Sequence, residues 1–296
     1  MKFRTEYRAG RNELTLNPEN PIVLMGSCFS QNMAAKMEES GWEAVIAGGT
    51  LYNPLSISIA LSMMLDEANG EDKFKNTLFH ASGLWNSQMF DSSFSSKNRE
   101  DCIEEFRLSS RLLKDALRKG ETLIITFGTS ICYFLAESRE PVGNCHKQPA
   151  DLFTRRRLSI EEIAGYWNSL LSALKERFPG LQVIFTVSPV RHLKDGFEGN
   201  ARSKAILHLA IEEICGNNGF CHYFPAYEIL MDDLRDYRFY AGDLVHPSEE
   251  AVEYIWEIFK ESFIDESGRN YLEAGLKAAR ARQHRPKTGA LGRLLS

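Results

Sequence analysis

Paired cysteines are missing from this 296-residue sequence: Cys28, Cys102, Cys132, Cys145, Cys215 and Cys221 are scattered with no C-x-x-C spacing. That argues against a disulfide scaffold and a zinc site, and fits the reduced thiols of a cytoplasmic protein. No G-x-G-x-x-G, Walker A loop or H-E-x-x-H is present either, so no nucleotide cofactor and no metal is expected. The longest nearly apolar stretch, Ile57 to Leu65, includes two serines and falls far short of the ~20 residues a membrane helix needs. Met1 to Leu16 lacks the apolar core of a signal peptide. Positive charge is also in deficit, with 35 basic against 40 acidic residues and a net charge of −5. A nucleic-acid or anionic-membrane partner would need the opposite balance.

The composition, 43% apolar and 25% charged, is that of an ordinary folded chain, long enough to bury a core without staples. Short β-branched runs alternate with amphipathic ones. Ile22–Met25, Ala44–Ala47, Thr122–Phe127, Leu181–Val187 and Cys221–Phe224 read as strands. Thr122–Phe127 is apolar throughout and belongs at the sheet centre. Phe29–Ser40, Pro54–Leu65, Arg99–Leu117, Ile160–Phe178, Asn200–Cys215 and Pro247–Phe263 read as helices, the last with Pro247 at its first position. Alternation of this kind predicts an α/β fold with a parallel sheet covered on both faces, and a site beyond the carboxyl ends of its strands.

Two stretches break the rhythm. Residues 69–96 are aromatic-rich without a helical period, which suggests a lid, wall or insertion over the site. The tail 266–296 follows a main domain of residues 1–265. From Arg269 onward it carries seven basic residues against Glu273 alone, and reads as a solvated helix with a frayed end.

Two constellations carry chemistry. In Val23-Leu24-Met25-Gly26-Ser27-Cys28-Phe29 a strand ends, Gly26 permits a sharp turn, and a helix begins. Ser27 and Cys28 stand at that corner, where free helix N–H groups favour an anion, lower a thiol's pKa and offer donors to an oxyanion. In Asp243-Leu244-Val245-His246-Pro247, an Asp and a His three apart at a helix entrance can lie side by side, so that the carboxylate orients the imidazole as a base. Asn144-Cys145-His146-Lys147 adds polar groups suited to holding a substrate, and the pair Arg191-His192, just past a strand end, reads either as a holder of an anionic group or as a solvated pair. His80, His208, His222 and His284 have no partner visible in sequence and are read as packing or surface residues.

Together these residues resemble the SGNH (GDSL-type) hydrolase superfamily and, more closely, its GSCFA family, whose name motif stands here as Gly26-Ser27-Cys28-Phe29-Ser30. Gly49-Thr50-Leu51-Tyr52-Asn53-Pro54, Phe127-Gly128-Thr129, Asn144-Cys145-His146-Lys147, Ser188-Pro189-Val190-Arg191 and Asp243 to Ser248 extend the resemblance along residues 1–265. It implies a three-layer α/β/α sandwich with a central, mainly parallel sheet, and attack on an acyl or ester carbonyl. The superfamily's nucleophile stands two residues after the strand-ending glycine, which favours Cys28 over Ser27, with His246 as base and Asp243 orienting it. The implied oxyanion donors are Gly49 (or Gly48) and Thr129, the latter standing where an asparagine is usual. Asn53 and Asn144 are substitutes, and His146, Lys147 and Arg191 complete the substrate-binding set. Asn86 and Asp91 stand where the family pattern has histidines.

The expected function is hydrolysis of an acylated carbohydrate or small polar ester. The alternatives are a thioester-dependent acyltransferase and a degenerate fold that binds a glycan or ester without turning it over. Oligomeric state is not encoded in any feature of the sequence.

Overall fold

The computed structural model describes residues 5–8, 10 and 13–283. In chain order the elements are β1 Ile22–Gly26, α1 Cys28–Glu39, β2 Ala44–Thr50, α2 Pro54–Leu65, α3 Gly70–Asn76, β3 Leu78–Ala81, β4 Leu84–Ser87 and α4 Arg99–Gly120. Then come β5 Thr122–Phe127, β6 Ile131–Leu135, β7 Pro141–Val142, β8 Phe153–Arg157, α5 Ile160–Arg177, β9 Gln182–Val187 and α6 Gly196–Asn217. The chain ends with β10 Cys221–Phe224, α7 Ala226–Glu228, α8 Glu249–Phe263 and α9 Glu266–Gln283.

A five-stranded sheet in the order β10-β9-β5-β1-β2, parallel throughout, forms the middle layer. Alternate residues of one strand point to opposite faces, and the burial follows that period. Val23 and Met25 of β1, with Leu123, Ile125 and Phe127 of β5, join one core. Ile22, Leu24 and Ile124 join the other. The first core holds α2, α4, α5 and α6, and packs Trp167 edge to face with Phe127 and Phe185 at centroid separations of 5.3 and 5.2 Å. The second holds α1 and α8 through Phe29, Met33, Trp256 and Phe259. Each fully buried large side chain contributes about 1.5–3 kcal/mol. The architecture is therefore the expected three-layer α/β/α sandwich.

Several local expectations change. Helix α1 begins at Cys28, because Ser27 caps it by accepting the Phe29 N–H. Helix α8 begins at Glu249: Ser248 is the cap, and Pro247 lies outside the helix in a bridge with Tyr240. Residues 69–96 contribute Phe74, Met89, Phe90 and Phe94 to the first core, with Phe74 stacked on Phe106, and none of them lines the cavity described below. That role falls to residues 129–153, which carry β6 and β7 and run into β8. The β7-β6-β8 antiparallel sheet is absent from the sequence reading.

The C-terminal helix is docked rather than free. Leu272 is buried, and Gly275 approaches so closely that a Cβ there would stand 2.1 Å from the Ser40 carbonyl oxygen. Residues 284–296, with His284, lie outside the described residues.

Candidate active site

The site is assembled where three parallel strands end at one level. Gly26 of β1 pairs with Thr126 of β5, which pairs with Thr186 of β9. Cys28, Gly128 and Ser188 each stand two residues beyond that shared rung. Gly26 takes φ +133°, and a Cβ there would lie 2.2 Å from the Thr126 carbonyl oxygen, so only glycine lets the chain turn so close to its neighbour. The turn places Cys28 at the first helical position, half-buried, on a cavity of about 570 Å³. Ser27 is 1% exposed, with its oxygen engaged by the Phe29 N–H, and is not part of the cavity wall.

His246 lines the same cavity. Its Nδ1 meets Asp243 Oδ2 at 2.6 Å, while Asp243 Oδ1 accepts the backbone N–H groups of His246 and Val245, both at 2.9 Å. Those N–H donors and the imidazole hold the Asp243 carboxyl down at about 2. With Nδ1 donating to the carboxylate, Nε2 carries the lone pair, and no protein group among the described residues engages it. The loop is tied to the end of β9 by the Arg191 N–H on the Val245 carbonyl at 3.2 Å.

The helix start does not depress the Cys28 thiol as the sequence suggests. Burial pushes its pKa up, and this outweighs the opposing pull of the Cys28 and Phe29 backbone N–H groups and of Lys204. A thiol so placed is a weaker acid than a free one, and acting as a nucleophile would require a base.

Of the expected oxyanion donors, Thr129 lines the cavity and Gly49 does not. A Cβ on Gly49 would stand 2.4 Å from the Asp91 carboxylate, and the next N–H, of Thr50, already donates to Asp91 at 2.7 Å. Gly49 thus faces Asp91, outside the cavity. The Gly128 and Thr129 N–H groups both go to the Tyr52 carbonyl, at 2.8 and 2.9 Å.

Thr129 still lines the cavity, and proton counting leaves its hydroxyl free. Ser203 Oγ accepts from the Ser130 N–H and hydroxyl, so its own proton goes to Thr129 Oγ1, 3.0 Å away. Thr129 Oγ1 also accepts the Ile131 N–H. Both its lone pairs are then filled, and its own O–H is unspent. The Cys28 N–H, ahead of the Ser27 cap, is given to no other residue among those described and is a second candidate donor.

Among the other expected contacts, Asn53, Asn144, Lys147 and Arg191 line the cavity. Asn53 caps α2 through Oδ1 and gives one amide proton to Ser56 Oγ at 2.9 Å. Asn144 Oδ1 accepts the His146 N–H. His146 turns away, donating from Nε2 to the Ser87 and Phe90 carbonyls at 2.7 and 3.0 Å, and braces residues 87–90 rather than meeting a substrate. Arg191 lies over the Tyr240 and Tyr237 rings, at 4.3 and 5.2 Å.

The sequence reading passed over Lys204. It is 2% exposed, and its Nζ bonds the Gly128 and Ser188 carbonyls at 2.7 and 2.6 Å, clamping two strand ends. Burial pulls its pKa down to about 7. A lysine in a helix reads as solvated, so no local signal marks it. Among the described residues no cluster of side chains is suited to a metal ion, and no helix is long and apolar enough to cross a membrane.

A family model, that of the GSCFA family, matches residues 21–259. The chain belongs to the GSCFA family. Comparison with the curated proteins finds no match. Among solved structures this GSCFA chain is similar to an acetyl xylan esterase from the rumen bacterium Butyrivibrio proteoclasticus, at 9% identity over 82% of this chain and 63% of that one, TM-score 0.40. It thus spans less than two thirds of that esterase's length. It is also similar to a carbohydrate esterase family 2 enzyme with a carbohydrate binding domain from Corynascus thermopiles (Myceliophthora fergusii), at 10% identity over 88% and 68% of the chains, TM-score 0.41.

Proposed function

We propose that this GSCFA protein is an SGNH-like acyl hydrolase with Cys28 as nucleophile, His246 as base and Asp243 as its orienting carboxylate. The observation that carries the reading is that the turn-mounted thiol and the carboxylate-held imidazole line one cavity at the strand ends, although 218 positions separate them in sequence.

In this reading His246 Nε2 takes the thiol proton as the sulfur attacks the acyl carbonyl and a C–S bond forms. The tetrahedral oxyanion receives the Cys28 N–H and the Thr129 O–H. It collapses with cleavage of the ester C–O bond, and the leaving alkoxide takes the proton back from His246, whose cation Asp243 stabilises. A water deprotonated by the same nitrogen then attacks the thioester, releasing the acid and restoring the thiol.

The cavity mixes the rings of Tyr52 and Phe153 with Asn53, Asn144, Lys147 and Arg191, a lining suited to an acylated sugar or another small polar ester.

The test is turnover of p-nitrophenyl acetate, with mapping of the acetylated peptide. Acetylation at Cys28 that is lost in Cys28→Ala and His246→Ala supports the reading. Full activity in Cys28→Ala with loss in Ser27→Ala moves the nucleophile to Ser27. Absence of turnover together with glycan binding favours the non-catalytic alternative.

Acyl transfer is a second reading with an observation of its own. Arg191 also lines a neighbouring cavity of about 400 Å³ with Tyr227, Tyr237 and Tyr240, which offers an acceptor a place beside the thioester. Acceptor-dependent turnover after a burst distinguishes it from hydrolysis.

A further inference from the structure

We propose that His192 is a further catalytic residue, a second imidazole that donates its Nδ1–H to the substrate's oxyanion from the end of β9. The inference rests on the Cys28 reading above and deepens it.

His192 lines the cavity alongside Cys28 and His246. Its Nε2 is sealed from solvent with no hydrogen-bond partner, 3.2 Å from where a Cβ on Gly128 would stand. A buried polar atom left unpaired is rare and costly, and a lone N–H is less tolerated there than a lone pair. The ring proton therefore belongs on Nδ1, which leaves the Nδ1–H as the ring's remaining polar group on a residue that lines the cavity.

The surroundings keep the ring in that form. Burial, and then the positive charge of Lys204, push its pKa down to about 4 against a smaller upward pull from Asp195, with His246 adding to the downward side. Lys204 bonds the carbonyl of Gly128, the residue beside the sealed nitrogen, and a charge on that amine favours the lone pair on its own side. Edge-on contact with Tyr52 at 5.7 Å and the His192 N–H on Asn200 Oδ1 at 3.0 Å fix the residue.

The need for such a donor is on the same strand ends. Backbone N–H groups of Gly128 and Thr129 are spent on Tyr52, and Gly49 faces Asp91. A neutral imidazole is a known form of electrophile: it polarises a carbonyl without giving up its proton.

The experiment compares two reactions of the same thiol in the full chain. Acyl transfer from p-nitrophenyl acetate builds an oxyanion, whereas alkylation of Cys28 by iodoacetamide, followed by peptide mapping, needs only the thiolate. His192→Ala and the ring-sized, donor-free His192→Phe are expected to lower kcat by a factor of about 100, with KM and the Cys28 alkylation rate unchanged. His192→Gln, which keeps an N–H, is expected to recover part of the loss.

An unchanged kcat in His192→Phe overturns the proposal. So does a parallel fall in alkylation, because His192 would then act on the thiol or on the fold. Absence of ester turnover in the unsubstituted protein fails the hydrolase reading itself, is seen before any His192 variant is made, and removes this inference with it.

Discussion

Asp243 grips His246 at two points, with Oδ2 on the ring Nδ1 at 2.6 Å and Oδ1 on the backbone N–H at 2.9 Å. One carboxylate thus sets both the path of the loop and the tautomer of the imidazole. The substitution Asp243→Asn keeps the shape but permits the wrong tautomer. The expected result is a fall in ester kcat of about 10⁴-fold, the loss seen when a triad aspartate is replaced in this way. The melting temperature should hardly move, because the pair is about half exposed. Steady-state kinetics and a thermal melt on the same sample check both halves.

Burial of Cys28 makes a prediction about its reactivity. With its pKa raised, the alkylation rate of Cys28 in His246→Ala should still be climbing with pH above the ordinary thiol value of about 8.5. A plateau near neutrality would mean a preformed thiolate and contradict the base-dependent mechanism.

Gly26 and Gly242 flank the two halves of the site but differ in tolerance. At Gly26 a Cβ meets the Thr126 backbone at 2.2 Å and φ is +133°, whereas at Gly242 nothing lies within 4 Å. Gly26→Ala is expected to cost more than about 4 kcal/mol, and Gly242→Ala less than about 0.5 kcal/mol. Urea unfolding midpoints measure both.

Lys204→Met leaves the Gly128 and Ser188 carbonyls unpaired, at an expected cost of about 1–3 kcal/mol for each. The lysine also has a signature in pH. Its folded pKa is about 7, depressed from 10.5, so between those values the unfolded chain binds the additional proton. Stability from this group is present above pH 10.5 and is lost as pH falls toward 7. The difference in unfolding free energy between wild type and Lys204→Met should therefore shrink as pH drops through that window, by urea titration at several pH values.

Much of the fold was legible. Thr122–Phe127 announces a central strand because every residue in it is apolar or β-branched, and it is buried from end to end. Gly26 announces the turn, and the three-residue spacing of Asp243 and His246 announces their contact, because both depend on a few neighbouring residues. Residues 129–153 gave no such signal: the strands there are short, and the last reads Phe153-Thr154-Arg155-Arg156-Arg157 with its charges outward. His146 looked like a substrate contact, yet its ring serves the Ser87 and Phe90 carbonyls from a segment 56–59 positions away.

Sequence alone determined the five strands of the main sheet with the helices between them, the glycine corner, and the local pairing of carboxylate and imidazole, since periodicity, φ preference and i, i+3 proximity are properties of adjacent residues. Tertiary structure decided that Ser27 is a cap while Cys28 meets the cavity, that burial raises the thiol's pKa, and that Lys204 is buried. It also decided which N–H groups remain unspent. Desolvation and hydrogen-bond occupancy are set by atoms arriving from distant segments, and no local pattern of residues specifies who those neighbours will be.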